Sequence, residues 1–230
     1  MASIAVRWRR RQAGARPALI PVRLAPLLLA LAVTAEASAA FAQPNLRSTF
    51  PGRRVGGGTR GECTARVLAH LVPGSSVYAP GAGGLIGLLE GPSANPAPVA
   101  VSFRQVNAAG SSDAARNLLS SRELPASSAG VTLLRLPLKG ATVWESSYRC
   151  DAGPGDPADP LAMVSAEAPP AVSLLLLEAT PADRDLQAKL KGLSAFCGKS
   201  VAREQLAASF DLTDVISADW PAQLAVRCLP

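Results

Sequence analysis

Histidine is almost absent from this chain, since His70 is the only one among 230 residues. A serine hydrolase needs a base beside its nucleophile, and no serine stands in a Gly-x-Ser-x-Gly turn. His70 is therefore predicted to be a surface residue on the polar face of a strand. The four cysteines are widely spaced, whereas zinc and iron centres need Cys and His at short spacing. The sequence predicts no metal centre, no cofactor and no catalytic residue.

Long apolar runs are missing as well. The run from Leu24 to Val33 contains Pro26 and is half as long as the roughly 20 residues that a membrane-spanning helix needs. Arginines precede this run, and Ala40-Phe41-Ala42 after it supplies a signal-peptidase site of small residues. Residues 1–42 are predicted to be a signal peptide. The expected product is periplasmic or secreted, and its mature chain has no transmembrane segment.

A strong basic charge is also missing once this leader is set aside. The whole chain carries a net charge of +6, but residues 1–42 hold six arginines and one glutamate, which leaves +1 for residues 43–230. Nucleic-acid binding depends on a basic surface that neutralises phosphates. The sequence therefore predicts no nucleic-acid partner.

All four cysteines follow the leader. An even number in an exported chain predicts two disulfides, although four cysteines allow three connectivities. Cys63 and Cys150 are expected to face inward from strands, and Cys197 and Cys228 to lie on apolar helix stripes. The predicted pairs are Cys63 with Cys150 and Cys197 with Cys228.

Period-two alternation dominates the first part of the mature chain. Residues 43–62 form a Gly/Arg-rich arm without an apolar period. Within residues 63–168, Val99, Val101 and Phe103 alternate with small or polar residues, as half-buried strands do. These residues are predicted to form an antiparallel β-sandwich.

The apolar period lengthens towards 3.6 after residue 170. Thr180-Pro181-Ala182-Asp183 is typical of a helix start, and a second helix is expected from Ser200 to about Phe210. Trp220, Leu224 and Cys228 recur every four residues, which favours a final helix. The stretch from 171 to 178 fits a helix or a buried strand. Overall, the sequence predicts a mainly β fold with an α-helical C-terminal part, a small helical subdomain over residues 169–230.

The arm carries a motif that could bind a ligand. Successive glycine amides can form an anion-binding nest, and arginines supply bidentate donors for phosphate or carboxylate. The alternative is a tight turn whose arginines pair with carboxylates of the same domain. The candidate ligand-binding residues are Arg53, Arg54, Gly56, Gly57, Gly58 and Arg60.

The same segment resembles a known family. Residues 51–63 contain a proline-glycine-arginine-arginine run, a glycine triplet, Thr-Arg and a cysteine, and Leu136-Pro137-Leu138 precedes a strand that ends in Cys150. This pattern resembles the exported bacterial family catalogued as domain of unknown function 928, over residues 51 to about 220. The resemblance implies export and a β-rich body with a helical tail. It carries no established activity.

The expected function is that of an exported, non-catalytic envelope protein, a binding or accessory module whose partner is another envelope protein or an anionic ligand. One alternative is an envelope hydrolase that uses paired carboxylates. Another is an anion- or polysaccharide-binding module that uses the Arg/Gly motif. Two acids converging in a cleft favour the hydrolase, whereas arginines around an open glycine loop favour anion binding.

Overall fold

The computed structural model describes residues 46–57, 66–106, 117–149 and 169–230. The predicted signal peptide, Gly58, Arg60, Cys63 and Cys150 lie outside these residues. Within them there are eleven strands and three helices. The helices are α1 (Leu46–Thr49), α2 (Pro181–Ser194) and α3 (Arg203–Phe210). The strands are β1 (Val55–Gly56), β2 (Leu68–His70), β3 (Val77–Tyr78), β4 (Leu85–Glu90), β5 (Val99–Gln105), β6 (Leu118–Leu124), β7 (Gly130–Arg135), β8 (Thr142–Tyr148), β9 (Ala171–Leu175), β10 (Ser200–Ala202) and β11 (Gln223–Cys228).

The strands form two sheets. Sheet A has five strands in the order β3-β9-β8-β5-β6, and sheet B has six in the order β1-β2-β4-β7-β11-β10. The predicted mainly β fold is confirmed. The prediction of purely antiparallel sheets needs correction, because β3 pairs with β9, and β7 with β11, in parallel. Parallel neighbours need a long connection, and the chain between β7 and β11 passes through β8 and β9 of sheet A and then through α2, β10 and α3.

Burial explains which strands the sequence pattern revealed. Along β5, Val99, Val101 and Phe103 are buried and alternate with half-buried residues, as predicted. Five of the six residues of β4 are buried instead. Its Leu88 joins the core shared with sheet A, while a Cβ added at Gly87 would lie 3.1 Å from Leu190 of α2. A strand covered on both faces needs no polar alternation, so its sequence lacks the period-two signal.

The start of α2 is confirmed residue by residue. The Thr180 hydroxyl accepts a hydrogen bond from the Asp183 amide, and the Asp183 carboxylate accepts one from the Thr180 amide, which makes a capping box. Arg47 also lies 2.9 Å from this buried carboxylate. Burial raises the pKa of Asp183, but hydrogen bonds from Thr180, Ala79 and Arg47 outweigh it, so the pKa lies below its usual value.

The predicted helix from 220 to 228 is wrong. Gln223–Cys228 is strand β11, in which Leu224 and Val226 are buried. A spacing of four residues is also a multiple of two, so Trp220, Leu224 and Cys228 fit a strand as well as a helix. Strand β10 also replaces the expected start of the second helix at Ser200. The helical C-terminal subdomain is not confirmed, because β9, β10 and β11 belong to the two sheets and residues Gln43–Pro230 form one compact unit.

The predicted disulfide between Cys197 and Cys228 is confirmed, with their Cα atoms 5.5 Å apart. Cys197 follows the end of α2, and Cys228 is the last residue of β11 rather than part of a helix. The bond therefore connects α2 to sheet B.

The described part of the predicted arm, residues 46–57, is here called the N-terminal strap. Its Leu46 and Phe50 pack against a small core formed by Val77, Val143 and Leu174 of sheet A. Further along, Val55–Gly56 pairs with β2 of sheet B. The strap thus contacts both sheets. Among the described helices, none is long and apolar enough to cross a membrane.

Candidate functional site

The described residues of the Arg/Gly motif, Arg53, Arg54, Gly56 and Gly57, lie in the strap, which contacts both sheets. The amide of Arg53 donates to the Val172 carbonyl at 2.9 Å, and the Val172 amide donates to the Arg53 carbonyl at 2.7 Å, while the Arg53 side chain is exposed. The Arg54 side chain is only 13 % exposed. Neighbouring arginines therefore have different surroundings.

Arg54 acts as a clamp. Its Nη1 donates to the Val72 carbonyl at 3.2 Å, and its Nη2 donates to the Asp211 carbonyl at 2.7 Å. The Asp211 carboxylate is 4.0 Å from Nη2 and its side chain is 95 % exposed, so this ion pair contributes little. The guanidinium thus joins the strap to the end of β2 and to the end of α3.

The two described motif glycines, Gly56 and Gly57, are required by close packing. Gly56 of β1 pairs with Leu68 of β2, and a Cβ added at Gly56 would lie 2.4 Å from the Ala171 amide nitrogen. Gly57 has φ +94°, and its amide donates to the Pro169 carbonyl at 3.0 Å. Positive φ is a conformation that glycine adopts without strain. The Gly57 amide therefore already has a backbone acceptor.

Removing the Arg54 clamp is expected to lower stability. Arg54→Ala loses two hydrogen bonds from a charged donor, which corresponds to about 1–2 kcal/mol after allowance for partial exposure. Arg53→Ala is the matched control, since its exposed side chain leaves while its backbone pairing remains. Urea unfolding of both variants measures the difference. Equal stabilities for the two variants would contradict the clamp.

A groove between α2 and α3 begins beside Arg54. It consists of two adjoining hollows of about 330 and 210 Å³ that share Lys189, Ser209 and Phe210. The floor is apolar and comes from both helices, with Leu186, Leu193, Leu206 and Phe210. The floor arises because the apolar faces of α2 and α3 turn towards each other above sheet B.

The rim of this groove is polar and has both signs of charge. Asp185 and Lys189 stand one turn apart on α2, and Gln205 and Ser209 stand one turn apart on α3. None of these four side chains has a hydrogen bond or ion pair with another of the described residues. Each helix therefore presents unpaired polar groups beside the apolar floor.

Two acids, Asp185 and Asp211, line the Arg54 end of the groove. Glycoside hydrolysis requires one carboxyl group that stays protonated at neutral pH, which burial usually achieves. Both of these side chains are exposed, and that of Asp211 is 95 % exposed. The pair lacks the environment that an acid catalyst needs.

The prediction of a surface His70 is wrong, because the side chain is 0 % exposed. Its Nδ1 is 2.8 Å from Ser173 Oγ and its Nε2 is 2.9 Å from Ser146 Oγ. The imidazole stacks on Trp144, with ring centroids 3.4 Å apart. The face of β2 expected to meet solvent meets sheet A instead. The sequence did contain one signal for this contact. Ser146 lies on the same face of its strand as Trp144 and Tyr148, and a polar residue on an apolar face indicates a polar partner in the core.

A second buried polar cluster surrounds Glu90, which is 1 % exposed. Its carboxylate oxygens lie 3.6 Å from Arg66 Nη2 and 3.2 Å from Arg227 Nη2, and Ser127 Oγ donates to it at 2.8 Å. The Arg66 guanidinium also lies over the Tyr148 ring, 4.9 Å from its centroid. With Thr132, these residues are here called the Glu90 cluster. Sequence periodicity gave no sign of it.

Within the described ranges, no group of three or more His, Cys, Asp or Glu residues could hold a metal ion. Comparisons with known protein families, curated proteins and solved structures find no match to this chain. The resemblance to the exported bacterial family therefore stays a prediction, and the function has to be inferred from the geometry alone.

Proposed function

We propose that this protein is an exported, non-catalytic binding module whose two sheets form a β-sandwich, and that the α2–α3 groove binds an extended polypeptide segment of another envelope protein. The observation that carries the proposal is the combination of an apolar floor with four unpaired polar side chains along the rim. Binding sites commonly combine a mainly apolar surface with a few polar groups that fix orientation.

The rim chemistry favours a polypeptide over an anion. The positive charge of Lys189 is accompanied by the negative charges of Asp185 and Asp211 along the same hollow. The Arg54 guanidinium already donates to carbonyl oxygens of its own chain. A phosphate or an acidic polysaccharide would meet as much negative as positive charge there. An extended peptide offers both donors and acceptors along its backbone, and its apolar side chains can contact the floor. The anion-binding alternative retains only the exposed Arg53 side chain among the described residues of the motif.

The hydrolase alternative has one supporting observation, the presence of Asp185 and Asp211 at the same end of the groove. Their exposure favours binding over acid–base chemistry, because neither side chain has the enclosed, apolar surroundings that an acid catalyst needs. We therefore assign these acids to the recognition of donors on the bound segment.

Blocking the groove is expected to abolish peptide binding without unfolding the protein. A Cβ added at Gly192 meets no atom within 4 Å, so Gly192→Trp can place its ring over the smaller hollow. Gly192→Ala should retain binding and raise stability by about 0.5–1 kcal/mol, because alanine favours helix more than glycine does. Ala188→Trp adds the same ring to an exposed position of α2 outside the groove.

The probe is a phage-displayed library of random peptides selected on the unmodified protein. Enriched peptides should bind Gly192→Ala and Ala188→Trp with affinity within about twofold of the original and bind Gly192→Trp at least tenfold more weakly. Peptides that bind all three variants equally would place the binding surface elsewhere. Failure to enrich any peptide would contradict the polypeptide proposal.

A further inference from the structure

We propose that His70 is a proton-operated latch between the two sheets, which holds them together when it is neutral and loosens them when it is protonated. This inference goes beyond the proposed binding function and does not depend on the groove. It rests on three features of the site: complete burial, the hydrogen bonds at both ring nitrogens, and the lack of a nearby counter-charge among the described residues.

The latch connects the sheets directly. His70 belongs to β2 of sheet B, whereas Ser146 on β8 and Ser173 on β9 belong to sheet A. The two nitrogen–oxygen distances, 2.8 and 2.9 Å, are those of good hydrogen bonds. Trp144, also on β8, stacks on the ring with an interplanar angle of 9°. One side chain therefore contacts two neighbouring strands of the opposite sheet.

The donors and acceptors of this site match the neutral imidazole ring but not the protonated one. A neutral imidazole has one donor and one acceptor nitrogen, so one serine hydroxyl accepts and the other donates. On protonation, both nitrogens become donors. The serine that donated must then accept instead, and its own hydrogen needs a new acceptor inside the buried site. Such an unsatisfied donor is unfavourable in a dry interior.

Buried charges nearby do not offset the added proton. Glu90 of β4 lies on the same side of sheet B as His70, but Arg66 and Arg227 already neutralise its charge. The inward-facing tyrosines, Tyr78 on β3 and Tyr148 on β8, are neutral because burial raises the pKa of each. The remaining charged residues on the strands around the ring face elsewhere: Glu145 of β8 pairs with Arg104 of β5, and Arg54, next to β1, holds Val72 and Asp211.

The consequence for stability has a definite sign. Burial lowers the pKa of His70 well below 6.5, whereas the unfolded chain keeps a value near 6.5. Below pH 6.5 the unfolded state therefore binds more protons than the folded state. The stabilisation is complete above pH 6.5 and is lost as the pH falls towards the folded pKa. Between pH 6.5 and 5.5 the ratio of folded to unfolded molecules should fall about fivefold, and below pH 5.5 about tenfold per pH unit until the folded pKa is reached.

The test uses the fact that His70 is the chain's only histidine, so its imidazole C–H signals in the NMR spectrum need no assignment. Titration of the exported protein from pH 8 downwards should show no protonation of the folded form at pH 6.5. Urea unfolding at pH 6.5 and 5.5 should show this loss of about fivefold. Ordinary carboxyl groups titrate below this window, so they contribute little to it.

The matched variant is His70→Gln, which offers a donor and an acceptor but takes up no proton in this range. Its stability should change less than twofold between pH 6.5 and 5.5, although it is lower than that of the unmodified protein. An imidazole midpoint at or above pH 6.5, or an unmodified protein equally stable at both pH values, would overturn the latch. These two measurements decide the matter even if His70→Gln fails to fold.

Discussion

Replacement of Glu90 by glutamine is expected to lower the free energy of unfolding by about 3–5 kcal/mol, the range found when one partner of a buried ion pair is removed. The carboxylate is 1 % exposed and lies 3.6 Å from Arg66 Nη2 and 3.2 Å from Arg227 Nη2. Glutamine has nearly the same shape but no charge. The variant therefore leaves the buried Arg66 guanidinium and the partly exposed Arg227 guanidinium beside a neutral amide.

The geometry of Arg66 makes this loss hard to relieve. Its side chain is 2 % exposed, and its Nε and Nη2 donate to the carbonyls of Gly91 and Ser127, each at 2.6 Å. The guanidinium is thus fixed by backbone atoms and by the Tyr148 ring beneath it, so it cannot move into solvent without breaking both hydrogen bonds. Since the whole stability of a domain is about 5–15 kcal/mol, the expected loss is a large share of it.

The matched control is Glu123→Gln, the same chemical change in an exposed ion pair. Glu123 and Arg149 are 59 % and 68 % exposed and 3.8 Å apart, so this variant should change stability by less than about 0.5 kcal/mol. Urea unfolding at pH 7.5, where His70 is neutral in both states, compares the two. If Glu90→Gln unfolds at the same urea concentration as Glu123→Gln, the Glu90 cluster does not stabilise the fold.

The residues that sequence reasoning placed correctly are those whose environment is set locally. The capping box of Thr180 and Asp183 needs only residues three positions apart, and the alternation of Val99, Val101 and Phe103 needs only one buried face. Such patterns depend only on residues within one helix or strand. They identified α2 and β5 before any tertiary contact was known.

The residues placed wrongly or missed depend on contacts between distant elements. His70 was assigned to solvent because alternation distinguishes two faces of a strand but does not say that a second sheet covers the polar one. Arg66, Glu90 and Arg227 come from three separate parts of the chain, with Arg227 and Glu90 137 positions apart. The groove arises from the approach of α2 to α3, which no motif encodes. The candidate site therefore needed tertiary structure, even though its helices did not.

Arg54 shows that a motif of donors does not specify which acceptors those donors meet. The sequence pattern allows two interpretations of this arginine, as a donor to an anionic ligand or as a partner of carboxylates in the same domain. Its acceptors are the carbonyls of Val72 and Asp211, 18 and 157 positions away. An arginine motif shows that donors are present, but the acceptors decide its role.

Removal of the disulfide between Cys197 and Cys228 is the second change expected to have a large effect. The bond closes a loop with a sequence separation of 31, for which the chain-entropy relation gives about 3.7 kcal/mol. That loop contains β10, α3 and β11. In the unfolded chain, the bond therefore restricts the segment that in the folded protein forms one wall of the groove and one side of sheet B. For a domain of this size the loss corresponds to a fall in melting temperature of roughly 7–15 °C.

The variant for this test is the double replacement Cys197→Ser with Cys228→Ser, which leaves no single thiol to form mixed disulfides. Calorimetry of the double variant without reductant isolates this bond, because Cys63 and Cys150 remain unchanged. Both cysteines are exposed, so serine adds no buried polar group and the fall in stability reports the lost cross-link. The bond also ties α2 to β11. In the double variant, the amide hydrogens of α3 and β10 should therefore exchange with solvent faster than those of β5. A melting temperature within about 2 °C of the unmodified protein would show that the packing of β11 against β7 alone holds the C-terminal strands in place.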